Sequence, residues 1–480
     1  MTDLRAGPRL AAPTMDPPRP RWSNGKVTTS TITSLSLGRG HAASPPAPAV
    51  PQLVVALACD RPQAPSSRHL LDGLDEIVLG RGERMVHRDG RRLVLRLPDP
   101  RMSSDHGRLV RERGAWVIDD PRSKNGVVVN GAPTRKAVLG DGDVVELGHT
   151  FCLFRVAPAA PGPADLEAGD GDDPALVTFN GELAVALARL VRVAATDVPV
   201  VITGDTGTGK ELVARAVHRG SGRRGPFVAI NCGALPETLV EAELFGARKG
   251  AFSGATHDRP GLVRAADHGT LFLDEIAELR PPSQAALLRV LQEREVLPLG
   301  DTAPVPVDVR VVAASHRRLE QQVADGEFRD DLYARLNGYA IELPPLRGRR
   351  EDLGLLVRAL LARRPGGDRA TLAPAAARLL FAYPWPHNVR ELEKTIASAL
   401  ALAPDRPIGP DDLPGAVRRG AVTPPIATPD DDDALRARLV ALLAEHQGNV
   451  AAVARAMGKE RMQIHRWAKR LGIDLSARHR

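Results

Sequence analysis

The feature that most constrains the fold is a glycine-rich loop, which reads Gly204-Asp205-Thr206-Gly207-Thr208-Gly209-Lys210. It follows an apolar run at 198–203, predicted to be a buried strand, and precedes a helical pattern at 211–218. Such a loop directs several backbone N–H groups at one point, where the helix N-terminus adds a partial positive charge. Lys210 can then reach the β and γ phosphates of a nucleotide. The loop therefore predicts a phosphate-binding site.

Two carboxylates, Asp274 and Glu275, end another apolar run at 270–274. In a P-loop ATPase the first carboxylate holds Mg²⁺ and the second polarises the attacking water. Glu211 departs from the common loop pattern, because Ser or Thr usually stands there as a ligand of Mg²⁺. A solvated acidic turn is the alternative interpretation of the two carboxylates, and the glycine loop upstream favours the ATPase. ATP and Mg²⁺ are the expected cofactors.

The 480 residues are enough for about three domains at roughly 150 residues each. Short apolar runs separated by turn residues, such as 92–97, 115–118 and 150–156, predict an antiparallel β-sandwich. Farther on, apolar runs such as 309–314 alternate with helical patterns and predict a parallel α/β domain. The predicted segments are a disordered Ser/Thr/Pro-rich arm at 1–50, the sandwich at 52–156, a linker at 157–174, the α/β domain at 175–365, a helical lid at 366–417, a linker at 418–433 and a helical domain at 434–480.

Composition and charge indicate the cellular location of the protein and the kind of partner that it binds. No run of 18 apolar residues suggests a membrane span, the first residues lack the apolar middle of a signal peptide, and three cysteines lie far apart. We therefore expect a cytoplasmic protein without membrane contact. From Ala434 onward ten Lys/Arg face three Asp/Glu, so this segment alone carries the net charge of +7 that the whole chain has. A basic end on a neutral body favours a polyanionic partner, with a solvated helical face as the alternative.

The segment Glu243-Leu-Phe-Gly246 is followed by Lys249 and then by Gly250, Ala251, Phe252, Ser253, Gly254 and Ala255. With these motifs, residues 175–416 resemble the AAA+ ATPase module of sigma-54-dependent activators, the bacterial enhancer-binding proteins. The family has Gly-Ala-Phe-Thr-Gly-Ala here, on a loop that touches the sigma factor, and Ser253 replaces its Thr. The resemblance implies that Phe252 contacts sigma-54 RNA polymerase. The ending Gly-Thr-Gly-Lys-Glu of the glycine loop, including Glu211, is the form that this family uses.

The same resemblance assigns further roles by position. Asn231 corresponds to a switch residue that holds the catalytic Glu, and His316 lies at the first-sensor position, where Thr-Asn is frequent. Arg390 corresponds to the second sensor in the lid. Arg329 and Arg335 correspond to arginine fingers, which act on the nucleotide of a neighbouring subunit and so require a ring. The family implies a homo-oligomer, a dimer at rest and a hexamer when active.

The C-terminal segment resembles the Fis-type helix-turn-helix that ends most members of the family, with Asn449 as a helix cap and Gly458 in the turn. It implies binding to upstream enhancer DNA, and a generic basic helical hairpin is the alternative. The predicted DNA-binding side chains are Lys459, Arg461, Gln463, His465, Arg466, Lys469 and Arg470.

The predicted sandwich carries motifs similar to those of forkhead-associated (FHA) domains, which bind phosphothreonine. By this resemblance Arg81 and Ser103 contact the phosphate, Asn125 the peptide, and His106 supports the loop. Ser104 replaces an Arg common in the family, and Val127 replaces the usual Thr. A folded spacer without ligand binding is the alternative. A further hypothesis is that a phosphorylated threonine of the arm binds this domain, the candidates being Thr28, Thr29, Thr31 and Thr33.

The combined prediction is a multidomain chain: an FHA β-sandwich, an α/β P-loop AAA+ ATPase with a helical lid, and an all-α helix-turn-helix. The expected function is ATP-driven remodelling of sigma-54 RNA polymerase, so that promoter DNA opens, under control of the phosphopeptide sensor. One alternative is a remodelling ATPase of another class, such as a helicase or a protease partner. The other is a phosphopeptide-binding regulator with a vestigial ATPase. Intact Lys210, Asp274 and Glu275 argue against the second alternative.

Overall fold

The computed structural model describes residues 48–160, 162–169, 173–234, 239–251 and 256–420, and single positions between 439 and 473. The threonines of the predicted arm and the seven predicted DNA-binding residues lie outside the described residues. Near the C-terminus Leu439, Leu443, Val453 and Ala468 pack into one apolar cluster. Among the described residues, no helix has the length and apolar character to cross a bilayer.

The first domain is a sandwich of two sheets. One sheet has the order β13-β2-β1-β12-β11-β8-β9 and the other β10-β7-β6-β3-β5-β4, and all neighbours are antiparallel except β3 and β5. The strands are β1 Ala49–Ala58, β2 Ser67–Leu70, β3 Glu76–Arg81, β4 Met85–Asp89, β5 Arg92–Leu97, β6 Gly107–Glu112, β7 Ala115–Asp119, β8 Val127–Val129, β9 Ala132–Thr134, β10 Lys136–Val138, β11 Val144–Leu147, β12 Thr150–Pro158 and β13 Asp165–Glu167. Strand β1 begins at Ala49, so the predicted arm ends slightly earlier than 50. Alternating side chains such as Leu53, Ile77 and Leu93 fill the space between the sheets.

The segment predicted as the linker 157–174 differs from that expectation, because β13 lies in it and extends the sandwich. Asp165 of β13 accepts hydrogen bonds from His69 Nδ1 at 2.7 Å and from Arg88 Nη2 at 2.8 Å. Burial raises the pKa of Asp165, but the hydrogen bonds from Arg88 and His69 outweigh it and hold that pKa well below its usual range. Fully buried Arg68 donates to the carbonyl oxygen of Ala160 at 3.0 Å. Composition did not indicate this strand, since its partners lie almost 100 residues upstream.

The second domain has a parallel sheet with the order β15-β16-β19-β14-β20. The run predicted at 198–203 forms β14, an interior strand between β19 and β20 that is buried on both faces, as apolar strands of parallel sheets are. Asn180 begins the first helix by accepting a hydrogen bond from Leu183 N. The elements are α1 Gly181–Ala194, β14 Val200–Thr203, α2 Lys210–Gly220, β15 Phe227–Asn231, α3 Val240–Phe245, α4 Leu262–Ala265, β16 Thr270–Asp274, α5 Pro281–Glu293, β17 Glu295–Val296, β18 Val305–Pro306, β19 Arg310–Ser315, α6 Leu319–Ala324, α7 Asp330–Leu336 and β20 Tyr339–Glu342.

A helical unit follows, and its first helix begins before the predicted lid boundary at 366. The helices are α8 Leu353–Ala362, α9 Pro374–Ala382, α10 Asn388–Leu402 and α11 Gly415–Gly420. Helix α8 belongs to this unit because Val357 and Leu361 pack with Leu380 and Leu392 in one core. Residues of β1 and β12 share the same core, and the rings of Phe151 and Phe381 stack with centroids 5.5 Å apart. The sandwich and the helical unit are thus packed together.

A buried carboxyl group at the start of α8 gives a pH-dependent prediction. Asp352 accepts hydrogen bonds from Thr178 Oγ1 at 2.6 Å and Phe179 N at 2.7 Å. Burial, followed by repulsion from Glu351, raises the pKa of Asp352 from 3.8 to about 6. The folded state therefore holds this proton more tightly than the unfolded state, and stability is lost as the pH rises from about 4 to 6. The loss is on the order of a few kcal/mol.

We expect Asp352→Asn to remove this loss, since the amide oxygen can accept from Phe179 N and the amide NH2 can donate to Thr178 Oγ1, without a charge. The measurement is the midpoint of thermal unfolding from pH 4.5 to 7.5 for the wild type, the variant and the control Asp368→Asn, which changes an exposed carboxylate. The unfolding midpoint of Asp352→Asn minus that of the wild type should grow as the pH rises to about 6 and then stay constant. If the unfolding midpoints of the wild type and Asp352→Asn change with pH in parallel, the raised pKa is not that of Asp352.

Candidate nucleotide site

The glycine loop connects β14 to α2, and its glycines adopt conformations that other residues rarely reach. Gly204, Gly207 and Gly209 have φ values of 142°, 81° and 105°. At Gly207 there is also no space, because a Cβ would overlap the carbonyl oxygen of His387. The loop thus brings backbone N–H groups to the start of α2, where its dipole favours an anion.

Lys210, the first residue of α2, is buried inside this loop. Its Nζ donates a hydrogen bond to the carbonyl oxygen of Gly204 at 2.9 Å and lies 3.9 Å from Oε1 of Glu275. The ammonium group therefore sits between the glycine loop and the end of β16. Glu211, the residue after it, is exposed and pairs with Arg215 at 2.7 Å, on the outer face of the helix. Thr208 Oγ1 donates to the carbonyl oxygen of Asp205 at 2.8 Å and stabilises the turn.

Asp274 ends β16, and Glu275 follows it in a left-handed conformation with φ of 53°. Burial raises the pKa of Asp274, the charge of Glu275 raises it further, and Lys210 opposes them. Two half-buried carboxylates thus face one ammonium group, so a divalent cation beside Asp274 would offset their repulsion. Within the described ranges no group of three or more His, Cys, Asp or Glu could enclose a metal. Mg²⁺ commonly uses one or two carboxylates together with phosphate oxygens, and the residues here fit that mode.

The catalytic candidate Glu275 is held from β19, and its contact there is with His316. His316 Nδ1 donates a hydrogen bond to Glu275 Oε2, and the backbone N–H of His316 reaches the same oxygen at 3.3 Å. Asn231 ends β15 in register with Asp274, but its Oδ1 accepts from Gly233 N at 3.0 Å. In this structure the Asn231 side chain thus contacts its own turn, whereas His316 reaches the carboxylate.

The helical unit contacts the glycine loop through residues that sequence reasoning missed. Asn388, fully buried and with φ of 57°, donates to the carbonyl oxygen of Thr206 at 3.0 Å and accepts from Leu346 N at 2.8 Å. Arg349 Nη2 donates to the carbonyl oxygen of Thr208 at 2.7 Å. Arg390 itself is exposed, and its backbone N–H lies 3.3 Å from the carbonyl oxygen of Gly207. Asn388 lies two residues before Arg390, so it is close in sequence to the predicted second sensor.

An apolar cavity of about 360 Å³ opens beside the glycine loop. Its walls come from α1, from the start of α2 and from α8, including Leu183, Gly209, Leu355, Leu356 and Ala359. That volume and apolar lining are typical of sites that bind a flat organic ligand such as a nucleotide base. The cavity adjoins the phosphate-binding loop, so one nucleotide could occupy both.

The two predicted arginine fingers lie on the exposed side of α7 and its N-terminus. Arg329 pairs with Asp331 at 2.7 Å, and Arg335 donates to the carbonyl oxygen of Leu291 at 3.3 Å. Both side chains therefore face solvent in the single chain, where a second subunit could meet them.

The predicted sigma-factor contact loop is described only at its base. Gly250 has φ of 84°, Ala251 follows it, and Phe252, Ser253, Gly254 and Ala255 lie outside the described residues. Arg248 ties the two ends of the loop together, because it contacts Asp258 and Asp301, each at 2.7 Å. These ion pairs hold the described residues on the two sides of the loop close together.

In the sandwich, the predicted phosphothreonine residues gather at one end. His106, fully buried, accepts from Ser103 N at 2.9 Å and donates to the carbonyl oxygen of Gly126 at 2.9 Å, which joins two loops. Arg81 is exposed, and its backbone N–H donates to the carbonyl oxygen of Ser103 at 2.8 Å. Asn125 is exposed too and donates to the carbonyl oxygen of Arg101 at 2.6 Å. The guanidinium group of Arg81, the hydroxyl group of Ser103 and the amide group of Asn125 thus belong to adjoining loops.

Comparison with known proteins agrees with this geometry. Residues 176–342 match the sigma-54 interaction domain, residues 347–428 the AAA+ ATPase lid domain, and residues 77–148 the FHA domain. The central region is therefore an AAA+ ATPase domain, and the sandwich is an FHA domain. The lid match begins at 347, in agreement with the place of α8 in the helical unit.

Individual relatives cover most of the chain. The acetoin catabolism regulatory protein of Cupriavidus necator is 44% identical over 329 residues, which are 65% of this chain and 49% of that protein. The chain thus spans about half the length of this relative. The transcriptional regulatory protein ZraR of Klebsiella oxytoca is 42% identical over 329 residues, 66% of this chain and 72% of ZraR. A crystal structure of NtrX from Brucella abortus in complex with ADP is 32% identical, with 63% of this chain and 70% of that chain covered and a TM-score of 0.47.

Proposed function

Since this chain belongs to the sigma-54-dependent transcriptional regulators, we propose that it hydrolyses ATP to remodel sigma-54 RNA polymerase so that promoter DNA opens. The observation that carries the proposal is the meeting of Lys210, Asp274 and Glu275 beside the apolar cavity. An ammonium group, a carboxylate for a metal ion and a second carboxylate near the phosphate loop are the parts that P-loop hydrolysis needs.

In this proposal the base of ATP enters the apolar cavity and the phosphates lie on the glycine loop. Asp274 would hold Mg²⁺, which neutralises charge on the β and γ phosphates when it is bound. Lys210 binds the same phosphates, and Glu275 accepts hydrogen from the attacking water and orients it. His316 keeps Glu275 in place through its Nδ1–H, and this single hydrogen bond leaves other lone pairs of the carboxylate free for the water.

The proposed active form is a homo-oligomeric ring in the cytoplasm, a hexamer that assembles from dimers. Arg329 and Arg335 would reach the γ-phosphate on the neighbouring subunit, and their exposure on α7 supports a role between subunits. Upstream enhancer DNA would bind the basic segment after Ala434, and phosphothreonine would bind the FHA loops around Arg81 and Ser103. The gathered loops and buried His106 support the second of these roles.

Promoter opening tests the proposed function directly. With purified sigma-54 polymerase and a promoter that carries upstream sites, the full chain and ATP should give open complexes, measured by permanganate reactivity of unpaired thymines. Phe252→Ala should abolish opening while ATP turnover stays within about twofold, because the role that the family resemblance gives Phe252 is contact with the sigma factor and not with the nucleotide.

The matched control is Phe328→Tyr, a buried aromatic in the AAA+ core, which reports on folding. Open complexes formed by Phe252→Ala at the wild-type level would contradict the role of the loop. Failure of the wild type to open any such promoter, despite ATP turnover, would overturn the proposed coupling to sigma-54.

A further inference from the structure

The FHA domain is joined to the ATPase lid by an interface that has the character of a domain core. Stacked Phe151 and Phe381 lie in it, and both rings are almost completely buried. Arg378 of α9 makes a bidentate ion pair with Glu146 of β11, at 2.7 and 2.8 Å, and the Glu146 side chain is only 7% exposed. Leu372 N also donates to the carbonyl oxygen of Cys59 at 2.9 Å. Buried apolar and charge-paired contacts of this kind favour one rigid unit over a tether.

Helix α8 links this interface to the nucleotide site, because its two faces serve different neighbours. Gly354 lies against β1 so closely that a Cβ would collide with the carbonyl oxygen of Ala56. On another face Leu355, Leu356 and Ala359 line the apolar cavity beside the glycine loop. A shift of this helix toward a bound nucleotide would therefore displace the strand that packs on it.

The FHA domain also reaches the cavity directly. Ala168, which follows β13, and Gln63, which precedes β2, line the cavity. Ala168 N donates to the carbonyl oxygen of Ser66 at 3.1 Å, and its own carbonyl oxygen accepts from Arg358 of α8 at 3.2 Å. Gln63 donates to the carbonyl oxygen of Gly367. Residues on the FHA side thus close part of the wall between the lid and the glycine loop.

The same strand lies next to the phosphothreonine end of the sandwich. Arg84, three residues after Arg81, pairs with Glu167 at 2.9 Å, and Glu167 immediately precedes Ala168. Arg81, the predicted phosphate ligand, is therefore connected to Ala168 of the cavity wall by a short path. The path consists of residues 81–84, the ion pair between Arg84 and Glu167, and the peptide bond to Ala168.

We propose that the FHA domain is a wall of the nucleotide site, with Ala168 and Gln63 as positioning residues for the base. This rests on the proposed function, in that it requires nucleotide in the apolar cavity. The FHA domain and the lid therefore respond to nucleotide as one body. If a ligand of the FHA domain shifts β13, it changes the affinity for nucleotide by some factor, and nucleotide changes the affinity for that ligand by the same factor.

Hydrogen exchange on the full chain, with ADP as the probe, tests the wall without an engineered variant. ADP should slow amide exchange at the glycine loop, in α8, and also in the FHA segments 63–70 and 165–169. Protection of the glycine loop alone would overturn the inference and leave the nucleotide site intact. If ADP protects neither region, the proposed function itself fails, so the two failures are distinguishable.

Two variants add a readout that general destabilisation would not give. Ala168→Leu, which narrows the cavity, should raise the KM for ATP and the Kd for ADP about tenfold with kcat unchanged. Gln63→Ala, a smaller change at a half-buried residue, should raise both in the same direction. Ala132→Leu, an exposed position on β9, is the matched control. Unchanged KM in both variants, or a fall in kcat without a rise in KM, would contradict the proposal.

Discussion

Lys210→Ala is expected to abolish nucleotide binding and to lower ATP turnover by about 1000-fold. The ammonium group of Lys210 is nearly buried, lies 2.9 Å from the carbonyl oxygen of Gly204 and is 3.9 Å from Glu275. Removing it leaves Asp274 and Glu275 facing each other, and the pKa of Asp274 is already raised by burial and by that neighbour. An incoming triphosphate would then meet two carboxylates without the compensating cation.

The assay is ATP turnover together with ADP binding by calorimetry, and Lys394→Ala, which removes an exposed lysine from α10, is the control. The control should match the wild type, which excludes a general effect of charge. Binding and turnover by Lys210→Ala that both stay within tenfold of the wild type would contradict the assignment of the glycine loop as the phosphate site. Loss of turnover with binding intact would show that Lys210 acts on the chemical step only.

Much of this site could be predicted from sequence because its elements are local. The glycine loop, the strand 270–274 and the paired carboxylates each depend on neighbouring residues whose pattern has a direct physical meaning. The strand at 270–274 has the predicted bounds, and the strand before the glycine loop begins only two residues after its predicted start at 198. Consistency of propensity, periodicity and turn residues over one segment makes such predictions reliable.

What could not be predicted depends on residues far apart in the chain. Asn388 and Arg349 reach the glycine loop across 140 or more intervening residues, and nothing in their own segments indicates that contact. The strand β13 forms in a Pro/Gly/Asp-rich stretch because His69 and Arg88 pair with Asp165. Tertiary contacts of this kind override local composition, and they also place the lid boundary at α8.

His316 is a residue for which both the local sequence pattern and contacts between distant residues are needed. Its position at the end of β19 is local, and the resemblance to the family placed it as a sensor. Its contact with Glu275 depends on the parallel pairing of β16 and β19, which sets the two strand ends side by side. In this structure Asn231 accepts a hydrogen bond from Gly233 N, and the switch role that the family resemblance implies for it stays a prediction.

Glu275→Gln is expected to lower kcat by about 1000-fold while the Kd for ATP changes by no more than about twofold. Gln has the size of Glu and its carbonyl oxygen can accept the hydrogen bond from His316, so the left-handed turn after Asp274 should persist. An amide cannot take up a proton or polarise water as a carboxylate does, so the loss falls on the chemical step. His316→Ala is the informative comparison, because it leaves the carboxylate and removes only the group that positions it. Its kcat should fall by about tenfold, between the wild type and Glu275→Gln. Turnover by Glu275→Gln above a tenth of the wild-type rate would show that another group activates the water, and the proposed division of labour between Asp274 and Glu275 would be wrong.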